Sequence, residues 1–158
     1  MENTPMQDDL DTVRDFFAQG GTLQALVNLD PADLDRVYAY ACQLFDAGDY
    51  AGAKRFYLML ARLSHWQFDY WLSLGLCCQR LGEHTEAIFS FGQAGLLRLD
   101  DPRSAYLAGL SHQLIGNRPQ AAKAFAAALK WCAAKPEYAE LKAEIQQQAA
   151  SCPKEEHA

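Results

Sequence analysis

The feature that most constrains this chain is a glycine that recurs at a fixed step. Gly48, Gly82 and Gly116 are each separated by 34 residues. Three further sets of positions, here called columns, recur with the same 34-residue spacing. The first column holds small residues, the second alanine and the third aromatic residues. These columns are Ala41, Gly75 and Gly109; Ala53, Ala87 and Ala121; and Tyr57, Phe91 and Phe125. A constant period of this length predicts a helix-turn-helix unit that is repeated three times.

Each column has a steric reason in such a unit. A small residue on the first helix and an alanine on the second allow the two helices to cross closely. The glycine ends the first helix and reverses the chain, and the aromatic is expected to fill the space between one repeat and the next. This is the tetratricopeptide (TPR) pattern. It predicts an all-α fold with three tandem repeats that form a short superhelix.

Helices are also expected on both sides of the array. The amphipathic segment before it either caps the array or pairs with a second copy of the protein, and the segment after it reads as a capping helix. Asp30-Pro31 and Asp101-Pro102 predict helix starts, with an N-cap followed by proline in the first turn. Within a single domain of 1–158, the expected segments are N-terminal helices over 8–29, repeats over 34–67, 68–101 and 102–135, and a C-terminal capping helix over 136–151.

Charge and composition exclude several classes of function. The 14 basic and 20 acidic residues give a net charge of −6, which disfavours binding to nucleic acid or to an anionic membrane. The N-terminus lacks the pattern of a secretory signal, and no stretch approaches the ~18 continuous apolar residues of a membrane span. We therefore expect a soluble cytoplasmic protein with no nucleic-acid partner and no membrane insertion.

The residues that usually carry catalysis or bind metals are not grouped in this sequence. The four histidines are scattered, and the five cysteines form an odd number without a CxxC motif, so the cysteines read as small core residues. Neither a nucleophile-elbow motif nor a phosphate-binding loop is present. We expect no enzymatic activity, no cofactor and no metal.

A TPR superhelix has a concave face that is lined mainly by the first helix of each repeat. Here that face is apolar and aromatic, and Arg80 and Arg103 are its only basic residues, so it favours an extended peptide over a charged peptide terminus. Single residues such as Leu76 or Leu110 have packing against the second helix as an alternative. The predicted groove residues are Asp35, Tyr38, Cys42, Phe45, Asp69, Leu72, Leu76, Gln79, Arg80, Arg103, Tyr106, Leu110, Gln113 and Leu114.

Four segments, taken in order, resemble a known family: "FFAQGGTLQAL", "LDRVYAYACQLFDAGDYAGAKRFY", "DYWLSLGLCCQRLGEHTEAIFSF" and "DDPRSAY". The resemblance covers about Phe16 to Gln148, and the family is that of the class II chaperones of type III secretion. The Gly-Gly-Thr-Leu lead-in and the Asp-Pro-Arg junction are more specific to this family than the TPR positions are. The chain departs from the family pattern at "LAGLSHQL".

This resemblance implies a cytoplasmic bacterial chaperone without ATPase activity. Its concave groove would bind an extended N-terminal segment of hydrophobic translocator proteins and keep them soluble and competent for secretion. A homodimer through the N-terminal helix is also implied. Tyr38 and Tyr106 match groove aromatics of the family, and Phe45 and Tyr50 match positions that usually hold tyrosine, so Tyr50 is added to the predicted groove residues. From the repeats alone, the alternative is a general TPR scaffold or adaptor in another bacterial assembly or regulatory complex.

Overall fold

The computed structural model describes residues 29–152, together with Asp11 and Asp15. The N-terminal helices expected over 8–29 therefore lie outside the described residues, except for Asp11, Asp15 and Leu29. Within 29–152 the chain forms seven α-helices and one short 3-10 helix, and no strand. The helices are α1 (Pro31–Asp46), α2 (Tyr50–Leu63), α3 (Phe68–Arg80), α4 (His84–Leu97), α5 (Pro102–Leu114), α6 (Arg118–Cys132), the 3-10 helix (Pro136–Tyr138) and α7 (Ala139–Ala150).

Consecutive helices pack against each other along the whole described chain. The helix pairs α1–α2, α3–α4 and α5–α6 form the three hairpins, α2 and α4 each also pack on the first helix of the next hairpin, and α7 packs on α6. This is the predicted all-α TPR array with a C-terminal capping helix. No helix among residues 29–152 is long and apolar enough to cross a bilayer.

The recurring glycines end the first helix of each hairpin in the left-handed backbone region. Gly48, Gly82 and Gly116 have φ values of 83°, 77° and 79°, which side chains with a Cβ rarely adopt. At the first turn the N–H of Asp49 donates to the carbonyl of Leu44 over 2.9 Å. This is the Schellman closure, which satisfies carbonyls that the helix end would leave unpaired. The period of 34 therefore reflects one turn geometry used three times.

The aromatic column does more than fill the space between repeats. A Cβ added to Gly75 would lie 2.5 Å from the ring of Phe91, and one added to Gly109 would lie 2.6 Å from the ring of Phe125. Each ring thus rests on the glycine of its own hairpin. The sequence predicted that these aromatics fill the space between repeats, and it did not predict that the small residue on the first helix makes room for the ring.

The buried side chains form two clusters along the stack. The first belongs to α1–α4 and includes Leu60 and Phe91, and the second joins α5, α6 and α7 through Phe125 and Ile145. Leu107 on α5 packs against both clusters. The groove described below therefore spans two cores that share one junction.

Candidate peptide-binding groove

The N-terminal end of the predicted groove is centred on the ring of Tyr38 on α1. Its centroid lies 5.7 Å from the ring of Tyr57 and 5.4 Å from the ring of Tyr70. Tyr38 is half-buried, so part of the ring remains open to a ligand while its neighbours fix its position. Nearby, Phe45 and Tyr50 meet edge to face with centroids 5.0 Å apart. These pairs form an apolar surface that is held in one arrangement by aromatic contacts.

The neighbouring phenols of Tyr38, Tyr57 and Tyr70 stay neutral at physiological pH. Burial raises the pKa of Tyr38 and Tyr57, and the hydroxyl of Tyr57 also donates to the Sγ atom of Cys42 over 3.2 Å. Burial likewise raises the pKa of Tyr70. This end of the predicted groove therefore consists of uncharged aromatic rings with their hydroxyl groups. Asp35, which lies on α1 with Tyr38, adds an exposed carboxylate.

The middle of the predicted groove is formed by α3, and the side chain of Gln79 links it to α5. The Nε2 atom of Gln79 donates to the carbonyl of Leu107 over 3.2 Å and to the Oγ atom of Ser111 over 2.9 Å. Leu72 is buried and Leu76 is half-buried, so Leu76 presents more surface to a ligand. Gln79 thus links two helices of the predicted groove, and its Oε1 atom is left to accept a further hydrogen bond.

A pocket of about 690 Å³ lies at the C-terminal end of the groove. Arg80 is exposed there, and no described carboxylate lies within ion-pair distance of it. The pocket combines one cation, three side-chain amides and two leucines. It is lined by Gln79, Arg80, Leu110, Gln113, Leu114 and Gln148.

Gln148 is the pocket residue that the sequence did not indicate. It belongs to α7, and the adjacent Gln113 donates from Nε2 to the Oγ atom of Ser151 over 3.3 Å. The apolar spacing of Leu141 and Ile145 predicts which face of α7 is buried. Which groove residues that helix then approaches depends on the angle at which it docks, and the sequence holds no signal for that angle.

Polar contacts within the fold also hold three further residues of the predicted groove, namely Arg103, Asp69 and Tyr106. The guanidinium of Arg103 donates to both carboxylate oxygens of Asp101, at 2.7 to 3.2 Å, and lies 5.1 Å from the centroid of Phe68. Asp69 lies 3.9 Å from the guanidinium of Arg98. Arg80 is consequently the one predicted basic groove residue that has no carboxylate partner among the described residues.

Tyr106 is the third of these residues, and it is only 5% exposed. Its hydroxyl donates to the Oε1 atom of Glu144 on α7 over 2.6 Å. Burial, followed by this hydrogen bond, raises the pKa of Tyr106. Tyr106 therefore connects α5 to the capping helix, and little of its side chain is open to a ligand.

The residue types that could bind a metal are dispersed in the part of the chain that the structure describes. No group of three or more His, Cys, Asp or Glu residues lies close enough together there to hold a metal ion. Burial raises the pKa of Cys77 to about 12 and that of Cys78 to about 11, so both thiols stay protonated at neutral pH. Cys132 and Cys152 are buried as well.

Comparisons with known proteins agree with the fold and point to one group of relatives. The family model described as tetratricopeptide repeat matches residues 34–67. The low calcium response locus protein H of Yersinia pseudotuberculosis is 27% identical over 144 residues, which are 91% of this chain and 86% of that protein.

Two solved structures extend this similarity to three dimensions. PcrH of Pseudomonas aeruginosa, solved in complex with the chaperone binding region of PopD, is 27% identical with a TM-score of 0.77; the match covers 79% of this chain and 94% of that one. A type III secretion complex from Aeromonas hydrophila contains a chain that is 29% identical with a TM-score of 0.78, over 90% of this chain and 95% of that one.

Proposed function

We propose that this chain, which belongs with the class II chaperones of type III secretion by sequence and fold, holds hydrophobic translocator proteins before export. The observation that carries the proposal is the aromatic and apolar surface around Tyr38, on a scaffold similar to that of PcrH, which was solved with the chaperone binding regions of PopD and PopB. These relatives favour a translocator chaperone over a general TPR scaffold. We infer that the protein works in the bacterial cytoplasm and has no enzymatic activity.

The bound segment would be an extended peptide near the N-terminus of the translocator. In an extended chain, side chains alternate between opposite faces, so every second apolar residue can enter the groove while the others face solvent. Tyr38 and Phe45 would contact the segment at one end, Leu76 in the middle, and Leu110 and Leu114 at the pocket. Arg80 would pair with an acidic side chain, because it is the exposed cation of that pocket.

Binding without covalent chemistry suits such a cargo. A protein destined to enter a host membrane exposes apolar segments that aggregate if they are left free. Covering one segment lowers that risk, and a reversible contact allows release at the secretion machinery. The net charge of −6 favours solubility of the complex. The homodimer through the N-terminal helix also belongs to this proposal, although that helix lies outside the described residues.

The experiment is a binding assay with peptides that tile the N-terminal region of the translocator encoded with this chain. We expect one or two neighbouring tiles to bind, and Tyr38→Glu to weaken that binding at least about tenfold, because it places a charge within the aromatic cluster. Tyr40→Glu is the matched control, since Tyr40 lies on the same helix with its ring against Phe56, 5.3 Å away. The proposal fails if no tile binds, or if both variants weaken binding equally.

A further inference from the structure

The outer face of the array differs between the middle repeat and the repeats on either side of it. The second helices α2, α4 and α6 carry two equivalent columns of exposed residues, seven residues apart on each helix. Repeats one and three have Arg55 with Arg62 and Lys123 with Lys130 in these columns, whereas repeat two has Phe89 and Leu96. Phe89 is 61% exposed and Leu96 is 71% exposed. An apolar centre therefore stands between two basic margins.

A glycine lies between these two apolar side chains on the same helix face. Gly92 is exposed, and a Cβ added to it would meet no atom within 4 Å. The fold therefore does not need glycine at this position, although glycine weakens a helix interior. Trp71 extends the surface on one side, with its ring edge-on to Phe89 at a centroid distance of 6.2 Å. Trp71, Phe89 and Leu96, with the notch at Gly92, form what we call the outer patch.

We propose that the outer patch binds an amphipathic helix of the translocator, separate from the segment in the groove, with acidic residues on both sides of its apolar stripe. This inference rests on the proposed function. The notch allows a helix to approach closely between Phe89 and Leu96. The basic margins of repeats one and three match acidic flanks and fix the orientation of the helix.

The size of the patch argues for this occupant over a second copy of the chain. Three large side chains bury at most about 600 Å², which is less than the roughly 800 Å² per partner of a typical stable interface. A cargo that is already held in the groove needs no such area, because its second segment binds at a high effective concentration. The outer patch therefore suits an auxiliary contact with the same cargo.

The test uses the complex of this chain with full-length translocator, purified after co-expression. The key variant is Phe89→Arg with Leu96→Lys, which places at each position the kind of residue found in the other repeats. We expect the purified complex to exchange with excess unlabelled chain at least about tenfold faster than wild type, while affinity for the groove tile stays unchanged. Gly92→Gln, which fills the notch, should accelerate exchange in the same way without lowering the melting temperature.

The basic margins of repeats one and three can be tested separately from the apolar centre. Arg55→Glu with Lys123→Glu should also accelerate exchange, and more so at low salt. Leu81→Lys is the control, since Leu81 is an exposed apolar residue in the turn between α3 and α4 and its change should leave exchange unaltered. Unchanged exchange in the Phe89→Arg, Leu96→Lys variant would overturn the inference.

Two other results would also contradict the assignment of the outer patch to a translocator helix. If the Phe89→Arg, Leu96→Lys variant also bound the groove tile more weakly, by a factor equal to its faster exchange, the change would act through the groove. A shift of the free chain from dimer to monomer, with cargo exchange unchanged, would assign the patch to self-association. A wild-type chain that binds no tile overturns the proposed function, and this inference with it.

Discussion

At the scale of the residue, the same amino acid serves opposite purposes in neighbouring helices. Gly75 on α3 leaves space for the ring of Phe91, which is 1% exposed and has no room to move. Gly92 on α4 leaves space that nothing in the described chain fills. Glycine at 75 therefore belongs to packing, and glycine at 92 weakens the helix with no gain inside the fold.

We predict that alanine at these two positions changes stability with opposite signs. Gly75→Ala should lower the free energy of unfolding by about 1–3 kcal/mol, because its Cβ displaces a buried ring. Gly92→Ala should raise it by about 0.5–1 kcal/mol, since alanine favours the helix and meets no neighbour. Urea denaturation measures both values. A change of the same sign in both variants would contradict this account of the repeat.

The residue scale also shows why part of the site escaped prediction. The turn glycines and the aromatics recur with one period, so the turn at Gly48 was predicted from the sequence, whereas the contact of Phe91 with Gly75 was not. Tyr106 has the spacing of a groove aromatic, yet its hydroxyl reaches Glu144, which lies 38 residues away on another helix. No period links these two residues, and the docking of α7 decides the contact. Gln148 was missed for the same reason.

At the scale of the element, the start of α5 concentrates polar contacts at a junction between repeats. Asp101 is 6% exposed and caps α5 by accepting from the backbone N–H of Arg103 over 3.0 Å. Burial alone would raise the pKa of this carboxyl, but the hydrogen bonds from the side chain and backbone of Arg103 lower it below its ordinary value. The Asp-Pro-Arg segment is therefore a structural element of the array, whether or not it meets cargo.

We predict that Asp101→Asn lowers the free energy of unfolding at pH 7 by about 1–3 kcal/mol, because asparagine can still cap the helix but loses the charged pair. Because folding lowers the pKa of Asp101, its carboxylate stabilises the fold fully at pH values above the unfolded-state pKa of about 3.9. That stabilisation is lost as the pH falls through the lower pKa of the folded state. The difference between variant and wild type should therefore shrink below pH 4. Urea denaturation at several pH values measures it.

The control for this prediction is Asp30→Asn at the start of α1. Asp30 is an exposed cap that accepts from the N–H of Ala32 over 3.2 Å, and asparagine caps a helix about as well as aspartate does. We expect a change of less than about 0.5 kcal/mol. A loss as large as that of Asp101→Asn would mean that the charge acts through the helix dipole and not through Arg103.

At the scale of the whole molecule, the array consists of two cores that meet at Leu107. Units in a repeat protein contact only their neighbours, so damage in one core spreads weakly to the other. The pocket at Arg80 crosses this junction, because Gln79 and Arg80 belong to α3, whereas Leu110, Gln113 and Leu114 belong to α5. Peptide binding at the pocket should therefore depend on both cores, whereas binding at Tyr38 depends on the first.

We predict that Ile145→Ala loosens the second core, and with it the pocket, while the first core around Tyr38 stays intact. Ile145 on α7 is fully buried against the third repeat. Its truncation should lower the free energy of unfolding by about 2–4 kcal/mol, because contacts are lost and a cavity is left. Hydrogen exchange should accelerate in α5, α6 and α7 while α1 and α2 keep their protection. Leu60→Ala, in the first core, should give the reverse map. Uniform acceleration in either variant would mean that the array unfolds as one cooperative unit, and that the groove has no separable ends.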